Sequence, residues 1–171
     1  MSKLGNSRHR FQGTIGKTLD ESEPWFELPK HPGEETPNVV VVLLDDTGFA
    51  QLGCYGSSID TKNIDALATH GLQFTNFHVT PLCSPTRAAL LTGRSQHAVG
   101  MRSVSNFRTG FPHMLGHITN EAATMAEIFQ AEGYATFCTG KWHLAPMENC
   151  SAAGPFDNGL LVEGLIVSMV S

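Results

Sequence analysis

Long apolar runs, basic clusters and paired cysteines are all missing from this sequence. The longest wholly apolar run, residues 39–44, has six residues, far below the roughly 20 needed to span a bilayer. The apolar tail from Gly159 is interrupted by Glu163, so no membrane partner is expected. The polar residues 1–30 carry Pro24 and Pro29 and no apolar stretch behind their basic start. No secretory signal is readable there; the expected location is cytoplasmic, or periplasmic or secreted if the true N-terminus differs. Asp and Glu outnumber Lys and Arg by 16 to 11, and no basic cluster is longer than Arg8-His9-Arg10. Nucleic acid therefore has no electrostatic footprint to meet. The four cysteines, Cys54, Cys83, Cys138 and Cys150, form no Cys-x-x-Cys pair, which argues against a zinc knuckle and a small disulfide scaffold. Internal repeats and low-complexity tracts are absent too.

What is there suits one globular domain, or part of one: 171 residues of which 41% are hydrophobic, a balance that argues against disorder as a whole. Residues 1–37 mix charge, Gly and Pro without periodicity and read as a surface extension. Residues 38–44 are a β-branched run ending in Asp45-Asp46-Thr47-Gly48, the pattern of a strand buried on both faces. Residues 63–70 predict a short helix with Ile64, Leu67 and Ala68 on one face and a left-handed cap at Gly71. Residues 72–79 read as a strand. Residues 85–93 place Pro near the start and Gly beyond the end of another short helix, which puts Cys83 at its N-terminus. Residues 121–132 carry Ala122, Met125, Ala126 and Phe129 at helical spacing, close at Gly133, and lead into a strand over residues 134–139. Such alternation predicts an α/β class with its site at the carboxyl ends of strands.

Three constellations carry chemistry. Asp45 and Asp46 leave the end of a hydrophobic strand, where two adjacent carboxylates are best tolerated around a hard cation such as Ca²⁺ or Mg²⁺. A plain turn is the competing reading, and for this dipeptide alone it has the better odds. Cys83-Ser84-Pro85-Thr86-Arg87 sets a thiol at a helix N-terminus with an arginine one turn on, an arrangement that favours an anion. A buried structural cysteine is the alternative there. A cysteine phosphatase needs five residues between Cys and Arg, and only three are present, which argues against the thiol itself as nucleophile. Lys141 and His143 flank Trp142 just past a strand, where they can supply a fixed charge and a proton to one oxyanion; a solvated Lys and a surface His are equally compatible with the spacing. Gly13-Thr14-Ile15-Gly16-Lys17-Thr18 is rejected as a phosphate loop because Phe11 occupies the first glycine position. His113 and His117 lack the Glu of a zinc protease, and Asn149-Cys150-Ser151 is only a formal glycosylation triplet.

Taken together, Asp45-Asp46, the stretch from Asn63 to Ala68, Cys83-Ser84-Pro85-Thr86-Arg87 running on to Leu91-Thr92-Gly93-Arg94, and Gly133-Tyr134 through Gly140-Lys141-Trp142-His143 resemble the sulfatases of the alkaline phosphatase superfamily, bacterial arylsulfatases in particular. The resemblance covers residues 38–158. It implies an alkaline-phosphatase-like α/β fold, a mainly parallel sheet flanked by helices, present only as its N-terminal portion. It implies hydrolysis of sulfate monoesters, with Cys83 oxidised to formylglycine by a maturation enzyme that reads the Cys-x-Pro-x-Arg pattern. Asp45, Asp46 and the modified Cys83 then match ligands of a divalent cation, usually calcium; Arg87 matches the residue holding the formylglycine side chain; Lys141 and His143 match groups touching that side chain and the sulfate. An aldehyde hydrate has two hydroxyls, one to attack sulfur and one whose proton loss expels sulfate, so Cys83→Ser is expected to trap a sulfated enzyme unless an oxidising enzyme that accepts serine is present.

Further groups that sulfatases supply from later in their chains, an acidic and an amide metal ligand, a second lysine and another histidine, do not map onto residues 1–171. Residues 159–171 diverge from the family, and a frameshift in the gene is the expectation for them. Strands of an incomplete sheet are expected to leave open edges, with aggregation or proteolysis as the consequence. Two rival readings remain at this level: a phosphodiesterase or phosphonate monoester hydrolase of the same superfamily, and a non-catalytic sulfatase-derived fragment.

Overall fold

Local signals for helix ends are well realised. The computed structural model describes residues 10–151, 153, 155, 158 and 159, and the backbone of 166–168. Helix α1 is Lys62–His70, α2 is Cys83–Thr92 and α3 is Met125–Ala131. Thr124 caps α3 through a capping box: its hydroxyl accepts from the Glu127 N–H at 3.2 Å, and the Glu127 carboxylate accepts from the Thr124 N–H at 2.7 Å, satisfying donors that a helix start leaves unpaired. The other end closes as a Schellman motif, with Gly133 N–H on the Gln130 carbonyl, Tyr134 N–H on that of Phe129, and Gly133 at φ 92°. A side chain at Gly133 would also put its Cβ 2.5 Å from the Lys30 carbonyl oxygen, so glycine is required twice over. Residues 121–124, expected to be helical, precede this cap as a turn.

Helix α2 starts at Cys83 with Pro85 in its first turn, where a missing N–H costs nothing, and ends at Gly93 with φ 63°. In α1 two details differ from expectation. Gly71 is extended, with φ −124° and ψ −160°, because the chain runs straight on into residues 72–79; a Cβ there would sit 3.0 Å from the Leu67 carbonyl oxygen. Leu67 is 73% exposed, while Ile64 and Ala68 are half-buried. Thr61 and Asp65 hold α1 to the preceding 3₁₀ turn Gly53–Tyr55 by accepting from the Gly53 and Cys54 N–H groups, both at 2.7 Å.

The strand expectations fare differently. Residues 38–44 and 72–79 form no strand, with a bend at residues 75 and 76, and every residue in both segments is exposed. A strand exists by virtue of a ladder partner, and among the described residues neither segment has one. The third expected strand is realised as β1, Phe137–Thr139, which pairs in parallel with β2, Ile166–Ser168, in the register Phe137 with Ile166, Cys138 with Val167 and Thr139 with Ser168. Family membership, established below, implies the α/β class; the described ladder contributes one parallel pair to it. Residues 10–37 are a largely exposed extension. It folds back through an antiparallel bridge between Thr14 and Glu23, and Lys30 caps the C-terminal end of α3 by donating to the Ala131 carbonyl at 2.9 Å and pairing with Glu132 at 2.6 Å, a favourable place for a cation.

Ala88 of α2, Val99, Met101, Ile118, Ala122 and Leu144 form the buried core, with Leu91 and Trp142 packed on it; Trp142 also touches the smaller cluster around Ala126 and Cys138. Loops build much of this core: the Leu115 N–H donates to the Gly100 carbonyl, Arg102 to His113 and Thr119 to Val99. These loops set α2 against the segment from 141 to 144, and that contact creates the site. No helix among the described residues is long and apolar enough to cross a membrane.

Candidate active site

The start of α2, the turn after residue 44 and the turn after β1 converge on one region. A cleft of about 580 Å³ is lined by Asp45, Asp46, Thr80, Cys83, Thr86 and Arg87 among others. A second, of about 630 Å³, runs between residues 39–43 and β1 and shares Asp45 and Arg87 with the first. Two of the turns hold a non-glycine residue in the left-handed region: Asp46 at φ 52° and His143 at φ 54°. Such strain concentrates at functional sites; His113, which lines neither cleft, shares it at φ 65°.

Arg87, one turn into α2, is the hub of the first network. Its Nη2 donates to Asp45 Oδ1 at 3.1 Å and its Nη1 to the Lys141 carbonyl at 2.5 Å. Lys141 Nζ completes the cluster on Asp45 Oδ2 at 2.6 Å. Arg87 is the most enclosed member, with 12% of its side chain exposed, and its buried Nε has no hydrogen-bond partner among the described residues. Hydrogen bonding to Lys141 and then to Arg87 holds the Asp45 carboxyl below its usual range, and the Lys141 ammonium is raised chiefly by its bond to Asp45.

A carboxyl depressed in this way stabilises the fold above the unfolded-state Asp value, and that contribution disappears as pH falls through the lower folded-state value. Asp45→Asn is therefore expected to lower the urea midpoint at pH 7, and the gap to the parent chain to be smaller at pH 2. Because the pair is partly exposed, the gap at pH 7 corresponds to about 1 kcal/mol or less. An equal gap at both pH values would show that the ion pair is not its source.

The second network centres on Cys83. Its Sγ lies 3.1 Å from His143 Nδ1, and His143 Nε2 lies 2.7 Å from Asn106 Oδ1. The same Oδ1 accepts from the Ser105 hydroxyl at 3.4 Å, and the Ser105 N–H donates to Ser84 Oγ at 3.2 Å. The loop bearing Asn106 is thereby tied to the first turn of α2. Partial burial first, then the cationic Lys141 and Arg87, push His143 below its ordinary value, which favours the neutral ring.

Of the residues singled out from sequence, Asp45, Arg87 and Lys141 meet directly and Cys83 meets His143. Asp46 faces the same cleft and is exposed. Asn106 escaped sequence reasoning because its surroundings, 23 positions after Cys83, show no periodicity; it sits in the 3₁₀ turn Ser105–Phe107, which the Ser84–Ser105 bond ties to α2. Among the described residues no three of His, Cys, Asp and Glu converge as a metal-binding group.

A protein-family model described as Sulfatase matches residues 37–164, and that range contains both networks. The chain belongs to the sulfatase family. Human arylsulfatase A is 47% identical over 113 residues, 63% of this chain and 21% of that protein. Human steryl-sulfatase is 42% identical over 124 residues, 70% of this chain and 21% of that protein. The arylsulfatase of Klebsiella aerogenes is 35% identical over 113 residues, 65% of this chain and 24% of that protein. The sulfatase chain thus spans about a fifth to a quarter of the length of these curated relatives.

Proposed function

We propose that this chain carries the nucleophile side of a sulfuric ester hydrolase centre acting on sulfate monoesters, with Cys83 as the residue converted to formylglycine. The contact between the Cys83 side chain and His143 Nδ1, 3.1 Å in length, beside the Arg87–Asp45–Lys141 cluster, is the observation that carries this reading. Sulfatases generally use formylglycine and a divalent cation. Position 83 fits the modified group: it opens α2 on the cleft, and an oxygen in place of sulfur would keep a hydrogen-bonding partner in His143.

The carboxylates do not fit a hard cation such as Ca²⁺ or Mg²⁺ as they are arranged. Both Asp45 oxygens already bind Arg87 and Lys141, which leaves Asp46 as the free carboxylate for an ion that prefers six to eight oxygens.

When formed, the aldehyde hydrate supplies a hydroxyl to attack sulfur and a second to release sulfate. The chain's own residues do the rest. Neutral His143 is placed to take a proton at Nδ1 from the group at position 83 and return it. Lys141 and Arg87 supply positive charge for the sulfate oxygens as charge builds on them. Asn106 holds the histidine ring.

To test the reading, the chain is co-produced with a formylglycine-generating enzyme, conversion at position 83 is verified by mass spectrometry, and turnover of an aryl sulfate and of an aryl phosphate diester is compared with and without calcium. Sulfate-ester turnover that vanishes in Cys83→Ala is the expected outcome. Faster turnover of the diester would assign the site to phosphoryl chemistry, and none at all from fully converted chain would make it a non-catalytic member of its family.

A further inference from the structure

The chain with an unconverted cysteine carries a complete set of groups for a different reaction. The Asn106 side-chain oxygen accepts from the Ser105 hydroxyl and, being an acceptor only, must take a proton from His143 Nε2 across their 2.7 Å contact. Imidazole in its neutral form has one N–H, so Nδ1 is bare. That bare nitrogen faces the Cys83 sulfur at 3.1 Å and accepts from S–H. The order thiol, imidazole, amide oxygen is the logic by which a base is oriented and a thiol activated. Cys83 is also the first residue of the ten-residue α2. The N–H groups of Cys83 and Ser84 therefore have no partner within the helix.

We infer that, before Cys83 is oxidised, Cys83, His143 and Asn106 act as a thiol nucleophile, its base and a positioning residue, attacking small activated acyl esters. Sγ bonds to the acyl carbon while its proton passes to His143 Nδ1. The ester C–O bond breaks and the leaving phenol takes that proton. Water then adds to the thioester, releasing the carboxylic acid and restoring S–H. No oxidant or metal enters the sequence. Since it concerns the unconverted chain, this activity stands or falls separately from sulfate-ester hydrolysis.

The test uses the full chain produced without the maturation enzyme. Iodoacetamide labelling of each cysteine is followed by peptide mass spectrometry, with exposed Cys150 as internal reference. Cys83 is expected to label about tenfold faster than Cys150 in native buffer and at a similar rate in concentrated urea. Asn106 is exposed and outside the core, so Asn106→Ala should keep the far-ultraviolet circular dichroism and lose the excess rate. Asn106→Asp, which keeps an acceptor oxygen, should retain it. With p-nitrophenyl acetate, a burst of one p-nitrophenol per chain is expected, absent in Cys83→Ala. Equal labelling of Cys83 and Cys150 in native buffer, or an unchanged Cys83 rate in Asn106→Ala, overturns the inference.

Discussion

Lys141→Met in the formylglycine-bearing chain is expected to lower kcat for an aryl sulfate by about 10²–10³, with a smaller change in KM. Methionine keeps much of the length and apolar stem of lysine but removes the charge. Lys141 sits at the outlet of β1 and is fixed from two sides: its carbonyl accepts from Arg87 and its ammonium binds Asp45 at 2.6 Å. A cation held this way is already oriented before substrate arrives, so under the proposed function it would act mainly when charge accumulates on the sulfate oxygens. Under the same proposal ground-state binding would draw on Arg87 as well, hence the unequal effect expected on kcat and KM. Steady-state kinetics on chain with verified conversion decides the matter, and kcat within a factor of three of the parent would remove Lys141 from the chemistry.

Leu144→Ala is expected to destabilise the fold by about 2–5 kcal/mol. Leu144 is 1% exposed and packs into the cluster of Ala88, Val99, Met101, Ile118 and Ala122. Truncating it removes buried methyl groups and leaves a cavity where the core is built from loops and one helix face. Marginal stability of about 5–15 kcal/mol is usual for a domain, so such a loss is a large share of the whole. Leu144 follows His143 directly, and its burial anchors the left-handed turn that aims the imidazole at Cys83. The urea midpoint reports the loss of stability; slower native-state labelling of Cys83 reports the loss of aim. A change below 1 kcal/mol would mean that the site collapses around the smaller residue.

Apolar side chains along residues 38–44 give the same physics from the opposite side. Val40 and Val42 are 83% and 75% exposed, although their β-branched run is the pattern of a doubly buried strand. Composition describes what a segment would bury, whereas burial itself requires a second surface. A cleft of about 630 Å³ separates part of this segment from β1. Unpaired extended backbone with apolar side chains is also where self-association begins.

Much of the local structure was legible from the sequence because its causes lie within a few residues. Gly133 marks the end of α3, whose start the apolar spacing put at residue 121 and the Thr124–Glu127 capping box sets at Met125; Pro85 and Gly93 bracket α2; the Cys-x-Pro-x-Arg spacing sets Cys83 and Arg87 one turn apart. The resemblance of the motifs, in family order, likewise sufficed for the family. Gly71 shows the limit of such reading, since a glycine after a helix serves either as a left-handed cap or as room for a close carbonyl, and the following chain decides which.

Only the tertiary structure settled who meets whom. Asp45 finds Arg87 across 42 positions and Lys141 across 96, Cys83 finds His143 across 60, and His143 finds Asn106 across 37. The partner of β1 comes from residues 166–168 rather than from the valine run that had the stronger strand signal. Torsional preferences and capping bonds act over one or two turns of chain, so they are written in the local sequence. Ladder pairing, ion-pair geometry and the tautomer of His143 depend on surfaces brought together by the packing of the core, and no short window of sequence contains both halves of any of them.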